Sequence, residues 1–199
     1  MALTKLSATL GLLAAGLGVD ALPSDPKYSY AVKERHFVPR AWTEAGPASK
    51  SDVINLQIGL KQQNEGLVEQ HLTEISDPAH ERYGQHLSFD EIKDMITPSK
   101  DTSSLVREWL NEHGIHNIGE APAKDWLSIV VPIEKAEELL QTSYKSFRHP
   151  DGHSISRAPE WSLPLHLHEH IDVVQPTTSF FSPQAEYKGS VSWRFLMQG

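Results

Sequence analysis

The side chains best suited to chemistry in this chain are three histidines and two sets of carboxylates. His166, His168 and His170 stand at i, i+2 and i+4 in the run LHLHEH. On a β-strand that spacing places all three imidazoles on one face. They could then hold zinc or copper, or titrate together as a pH sensor in the range where histidine changes charge. No placed carboxylate ligands or second shell accompany the run, so an exposed polar strand edge is the plainer reading. Asp90, Glu91 and Asp94 form one acidic set, and Glu134, Glu137 and Glu138 another. Either has the composition of a general acid/base pair. Both, however, fall on or at the starts of predicted helices, where the positive helix end accounts for them electrostatically. The chain has no cysteine, so disulfides, thiolate metal sites and a cysteine nucleophile are excluded. No Gly-x-Ser-x-Gly context for a serine nucleophile occurs anywhere in it.

The 199 residues suffice for one ordinary domain with tails. Hydrophobic residues make up 39% and charged residues 22%, the composition of a globular protein. A net charge of −8 argues against nucleic acid or an anionic membrane as partner. Protonating all 11 histidines takes that charge to +3. At the N-terminus, Lys5 precedes an uncharged apolar core over residues 6–18, and Val19 and Ala21 supply small residues for cleavage after Ala21. Residues 1–21 therefore read as a secretory signal peptide, which predicts a secreted chain with no membrane contact after cleavage. No other apolar run approaches membrane length.

The elements that must position these groups follow from periodicity and caps. Residues 22–36 read as a flexible lead-in. Beyond it, Phe37-Val38-Pro39 and Trp42 are the strong anchoring groups. Residues 52–60 alternate with period two, with Ile54, Leu56, Ile58 and Leu60 on the buried face of a strand. A helix should start at Asn64 as N-cap, carry Leu67, Val68, Leu72 and Ile75 on one side, and stop at Asp77-Pro78. Ser88 and Glu91 form a capping box, and Leu87 and Ile92 a hydrophobic staple, for a second helix ending at Thr97-Pro98. A third runs from about Asp101, with Leu105, Val106, Trp109 and Leu110 inward, to Gly114 as the left-handed closing residue. Strands are expected over 115–120 and 126–131. A helix opened by Pro132 comes next, burying Ile133, Ala136, Leu139 and Leu140. A hairpin of 143–148 with 153–157 turns at His149-Pro150-Asp151-Gly152. Trp109, Trp126, Tyr144 and Phe147 are expected in the core. The order β-α-β-β-α-β, with an elaborated first connection and a terminal hairpin, predicts an α+β, ferredoxin-like antiparallel sheet with helices on one face.

From about Phe37 to Phe180 the chain resembles the activation prosegment of the sedolisin family, the acid-acting serine-carboxyl peptidases that include tripeptidyl peptidases. The resemblance rests on Asp77-Pro78, Tyr83-Gly84 and Leu87-Ser88; on Val106, Trp109-Leu110 and Gly114; on Ala136, Leu139-Leu140 and Tyr144; on Arg157, Trp161 and Leu163-Pro164; and on the run from His170 to Val174 with Pro176-Thr177 and Phe180. Trp161 stands where the family more often has Tyr, and Ala158-Pro159 replaces its usual Thr.

The resemblance implies a prosegment spanning residues 37–175, acting as folding chaperone and inhibitor of a sedolisin-type peptidase domain, in cis or in trans. It implies that the sheet packs on that domain. The next segment, residues 176–199, would be a linker and divergent tail, with Pro176, Thr177, Phe180 and Phe181 blocking the cleft. The family's catalytic Ser, Glu and Asp residues and its calcium site belong to the peptidase domain, so this chain is expected to hold no cofactor. Maturation in acid gives His166, His168 and His170 a pH-sensing role, in secretion or in an acidic vacuolar or lysosome-like compartment. A free-standing ferredoxin-like binding module and a peptidase gene cut short are the alternatives.

Overall fold

Alternating apolar residues place the strand Val53–Leu60 at the centre of the molecule, because both of its edges find partners. In the computed structural model, which describes Lys27 and residues 29–180, nine strands and four helices succeed one another in chain order. They are β1 (Tyr30–Arg35), β2 (Thr43–Pro47), β3 (Val53–Leu60), α1 (Glu65–Ser76), α2 (Phe89–Ile96), α3 (Lys100–Glu112), β4 (Gly119–Glu120), β5 (Trp126–Pro132), α4 (Ile133–Leu140), β6 (Lys145–Arg148), β7 (Ser154–Arg157), β8 (Glu160–Pro164) and β9 (Ile171–Gln175). The predicted signal peptide lies outside the described residues.

The main sheet has the order β4-β5-β3-β9, and every neighbouring pair is antiparallel. Numbered within the β-α-β-β-α-β pattern, that is the ferredoxin-like order. Two smaller sheets, β1-β8 and β2-β6-β7, complete the α+β architecture. The strand register pairs Leu56 with Ile129 and Ile58 with Leu127, so the inward rows of β3 and β5 coincide. Against them α3 buries Val106, Trp109 and Leu110, and α4 buries Ile133, Ala136, Leu139 and Leu140. Ile171 and Val174 of β9 join the same cluster. Each such fully buried aliphatic side chain contributes roughly 1.5–3 kcal/mol.

The caps behave largely as their chemistry dictates. The Ser88 hydroxyl accepts from the Glu91 amide while the Glu91 carboxylate accepts from the Ser88 amide at 2.8 Å. Gly114 closes α3 at φ +74°, where an L side chain is strained. Asn64 differs. Its side chain makes no cap bond to α1; it adopts φ 59° and its Nδ2 donates to Met95 O at 3.1 Å. The residue tethers α1 to the end of α2 instead of capping it. Among the described side chains neither α1 nor α2 is buried: Leu67 and Leu72 are exposed, as are Phe89 and Ile92. The two helices form a flap that carries much of the acidity, with eight acidic and two basic residues over positions 64–99.

Four further expectations are corrected. The lead-in is not irregular to residue 36, since Tyr30–Arg35 pairs with β8. Charged residues hide its strand character because each finds a partner on or beside β8. Lys33 donates to His168 O at 2.8 Å, and Arg35 pairs with Glu160. Phe37 and Val38 are not anchors: Phe37 is 96% exposed in the loop joining two separate sheets, and only Trp42 is buried. The strand expected over 115–120 shrinks to Gly119–Glu120. Trp126 is half-buried rather than core, because its position on β5 faces the side of the sheet that the helices leave open.

Candidate functional site

Two features stand outside the requirements of a folded core: the open face of the main sheet, and the segment that leaves β9. Strand alternation assigns Val53, Asn55, Gln57 and Gly59 of β3 to the face opposite α3 and α4. Their partners across β5 are Pro132, Val130, Ser128 and Trp126. Val53 and Val130 are 68% and 66% exposed, so this face carries apolar groups in solvent. Gln57 Nε2 donates to Asn55 Oδ1 at 3.0 Å, which holds the polar row flat. Gly59 has a steric reason: a Cβ there would sit 2.8 Å from Val173 Cγ1 and 3.3 Å from Trp126 Cη2. The two side chains meet over the glycine from the neighbouring strands.

The second feature begins at the cis peptide Gln175–Pro176. Residues 175–180 do not leave the domain. They form a strap across its smaller sheets. Thr177 and Thr178 are buried. Thr177 O accepts from the Ala158 amide at 3.0 Å, and Thr177 Oγ1 accepts from the Tyr144 hydroxyl at 3.1 Å. Burial pushes the Tyr144 phenol up to about 12, against the lowering effects of that hydrogen bond and of Arg157. Arg157 Nε donates to Ser179 O at 2.6 Å, and burial holds this guanidinium below its ordinary value. Phe180 packs edge-on to Phe147 with centroids 4.9 Å apart and tilts against Trp42 at 6.2 Å.

One carboxylate gathers the strap to β1. Glu34 Oε1 accepts from the Thr178 hydroxyl and lies 2.9 Å from His36 Nε2, while Glu34 Oε2 accepts from the Trp161 indole at 3.2 Å.

The histidine run is not a strand. Residues Leu165–Leu167 form a single 3-10 turn, and the three rings diverge. His166 is half-buried, with Nδ1 unpartnered among the described residues, beside a small cavity lined by Leu105, Glu108 and Trp109. His168 Nε2 lies 3.1 Å from Leu163 O, and His170 Nδ1 lies 2.8 Å from Thr102 Oγ1. Proline at 164 ends β8 and turns the chain before the alternation can extend through the run. Among the described residues no group of three or more His, Asp or Glu is placed to hold a metal ion.

Within the carboxylate sets, Glu91, Glu137 and Glu138 make structural contacts. Glu91 completes the capping box, and the Ser88 side-chain and backbone hydrogen bonds hold its carboxyl below the usual range. Glu137 Oε1 accepts from the Tyr144 amide at 2.7 Å, and Glu138 pairs with Lys135.

The described residues thus present a sheet with one open face and an exit segment tied to the smaller sheets. In comparison with known proteins, the family described as "Pro-kumamolisin, activation domain" matches residues 40–180. The chain belongs to the pro-kumamolisin activation domain family.

Its relatives include a tripeptidyl-peptidase sed1 of Aspergillus fumigatus, 37% identical over 176 residues, covering 86% of this chain and 27% of the relative. A probable tripeptidyl-peptidase SED3 of Trichophyton verrucosum is 32% identical over 166 residues, covering 82% and 28% respectively. The chain spans little more than a quarter of the length of these curated relatives. Within the activation domain the residues that carry the family likeness are architectural. Gly84 and Gly114 occupy left-handed turns, Ser88 caps α2, Tyr144 is buried under the strap, and Pro176-Thr177 begins it. Glu34 carries no sequence signal, because its strap and indole partners lie 144 and 127 residues away. Gly59 carries one, since a glycine inside a strand marks a close approach. Of the proposed linker residues, Pro176, Thr177 and Phe180 sit in the strap, and Phe181 lies outside the described residues.

Proposed function

We propose that this activation domain serves as folding chaperone and inhibitor of a sedolisin-type peptidase domain, joined to it in a longer precursor or supplied in trans. The observation that carries this reading is the bare sheet face around Val53, Val130, Trp126 and Val173, with apolar groups exposed on a rigid surface. Such a face gains by covering a partner's apolar surface. Membership of the activation-domain family supports a peptidase as that partner.

In this reading the domain proper extends from Phe37 to Gln175. The linker that blocks the peptidase cleft, Pro176, Thr177, Phe180 and Phe181, starts in the strap, and Phe181 lies outside the described residues. Extended backbone can fill such a cleft by strand-like pairing. The signal-peptide character of residues 1–21 supports secretion. His166, His168 and His170 are the candidate pH-sensing residues, and they stand in three separate environments. No helix of the described residues is long and apolar enough to cross a membrane.

The test uses the secreted form of the chain, from residue 22, with the peptidase domain of the Aspergillus fumigatus relative. The peptidase domain is denatured and refolded at neutral pH with or without the added chain, then transferred to acid with a peptide substrate. The reading expects a higher yield of active enzyme with the chain present, and a lag before full activity as the inhibitor lets go. Equal yield and no lag would remove it.

A further inference from the structure

The loop between β1 and β2 is the most open stretch of the described chain, with residues 36–41 all exposed. Its backbone ties are few: the His36 amide donates to Pro159 O, and the Trp42 amide to Pro39 O. The family match begins at Arg40, beyond β1. Yet β1 carries Glu34, which receives Thr178 of the strap and the Trp161 indole. The first strand therefore holds the last segment of the domain.

We propose that this loop is a proteolytic processing site, cut after Arg40 by an endopeptidase specific for basic residues, and that the cut releases the strap at the far end of the domain. In the reaction the C–N bond between Arg40 and Ala41 breaks. Water supplies the oxygen of the new Arg40 carboxylate, and a proton goes to the new Ala41 amine. Cleavage changes the molecularity of β1 docking. Before the cut β1 is tethered to the body; after it, the piece carrying β1 is held by non-covalent contacts alone: pairing with β8, Lys33 to His168 O, Glu34 to the Trp161 indole, the Arg35–Glu160 ion pair, the His36 amide to Pro159 O, Ser29 O to the Leu165 amide, and Lys27 to Glu112. Loss of a short tether removes an effective concentration of order mM, and two-stranded pairing alone is marginal in water. Val32 is about half exposed, and no residue of β1 is fully buried. When β1 departs, Thr178 loses its acceptor, and the strap keeps Tyr144, the Ala158 amide, Arg157 and the packing of Phe180 on Phe147 and Trp42. That the released strap activates a peptidase rests on the inhibitor role proposed above. The coupling between the two ends does not, and it is measured without any peptidase.

The experiment is limited trypsin digestion of the secreted chain from residue 22, followed by mass analysis and amide hydrogen exchange on the cut product. Exchange at the Ala158 amide, which donates to Thr177 O, reports whether the strap is in place; exchange at Leu56 and Ile58 reports the main sheet. The first cut among the described residues is expected at Arg40–Ala41. Ala158 should then exchange at least tenfold faster while Leu56 and Ile58 keep their protection. Arg40→Gln should abolish both the cut and the change. Uncut Thr178→Val should speed Ala158 exchange with the sheet unaffected. A first cut elsewhere overturns the proposal. So does unchanged Ala158 protection after the cut, or equal loss of protection at Leu56 and Ile58, which would make β1 an ordinary part of one cooperative core.

Discussion

Replacing Gly59 by alanine tests how the open sheet face is built. The added methyl would sit 2.8 Å from Val173 Cγ1 and 3.3 Å from Trp126 Cη2, against ordinary carbon contacts of about 3.5–4.0 Å. Neither backbone blocks it; both obstacles are side-chain atoms. Overpacking of this kind costs about 1–3 kcal/mol. Val173 is half-buried on an edge strand and can give way, so the lower part of that range applies, about 1–2 kcal/mol. The glycine's backbone lies outside the left-handed region, so alanine also removes unfolded-state freedom worth about 0.4–1 kcal/mol in the opposite direction. The net expectation is a loss of about 1 kcal/mol, or roughly 2–4 °C in Tm for a domain of this size. Urea denaturation of four proteins decides it: wild type, Gly59→Ala, Val173→Ala and the double variant. With Val173 shortened the main clash is gone, and Gly59→Ala should become neutral or mildly stabilising. If Gly59→Ala costs the same in both backgrounds, the contact with Val173 is not what requires glycine, and the account of this face is wrong.

The same geometry sets three further outcomes. Tyr144→Phe leaves Thr177 Oγ1 buried without its donor and should cost about 1–2 kcal/mol, read as a lower urea midpoint at unchanged m; no change would remove the hydroxyl from the strap's anchoring. Ultraviolet titration should find one of the five tyrosines ionising near 12. Its phenol is raised on folding, so the stability it contributes is complete below the ordinary tyrosine value of about 10 and is lost as pH rises through about 12. A tyrosine set titrating wholly near 10 would contradict the buried environment. Glu91 runs the other way. Its carboxyl is lowered by Ser88, so the support it gives α2 is present above the usual glutamate value of about 4.3 and is lost as pH falls through its lower folded value. Protection factors across Phe89–Ile96, with the intrinsic pH dependence of exchange divided out, should therefore fall in acid before those of α3, and Glu91→Gln should flatten the difference.

The main sheet and the helices packed on it are legible in the sequence because their signals are local. Period-two apolar residues mark β3, Ser88 and Glu91 mark α2, and Gly114 marks the end of α3. The parts that are not legible depend on distant partners. β1 reads as polar because Lys33, Glu34 and Arg35 meet their partners 125 or more residues later. β2, with Gly46 and Pro47 in a bulged edge strand, has little strand propensity of its own and exists through pairing with β6. The histidine spacing gives a shared face only if the strand continues, and Pro164 stops it. The strap reads as free linker because Pro176-Thr177-Thr178 is turn-like in composition. What buries those threonines is Tyr144 and Glu34, and neither is near in sequence.

The position of β9 also sets a timetable for synthesis. β3 is a middle strand, but the partner on one of its edges is separated from it by everything from Leu60 to Ile171. At about 5–20 residues per second, a ribosome needs several seconds to tens of seconds to lay down that interval. Until β5 is made both edges of the strand carrying Ile54, Leu56, Ile58 and Leu60 are open, and from then until β9 one remains open; an unpaired apolar edge is a template for association with other chains. The acidic α1–α2 flap is made immediately after β3 and so is the first charged, soluble structure available to stand beside it. The nascent domain is thus most vulnerable early and closes late, only when the segment leading out of it has been made.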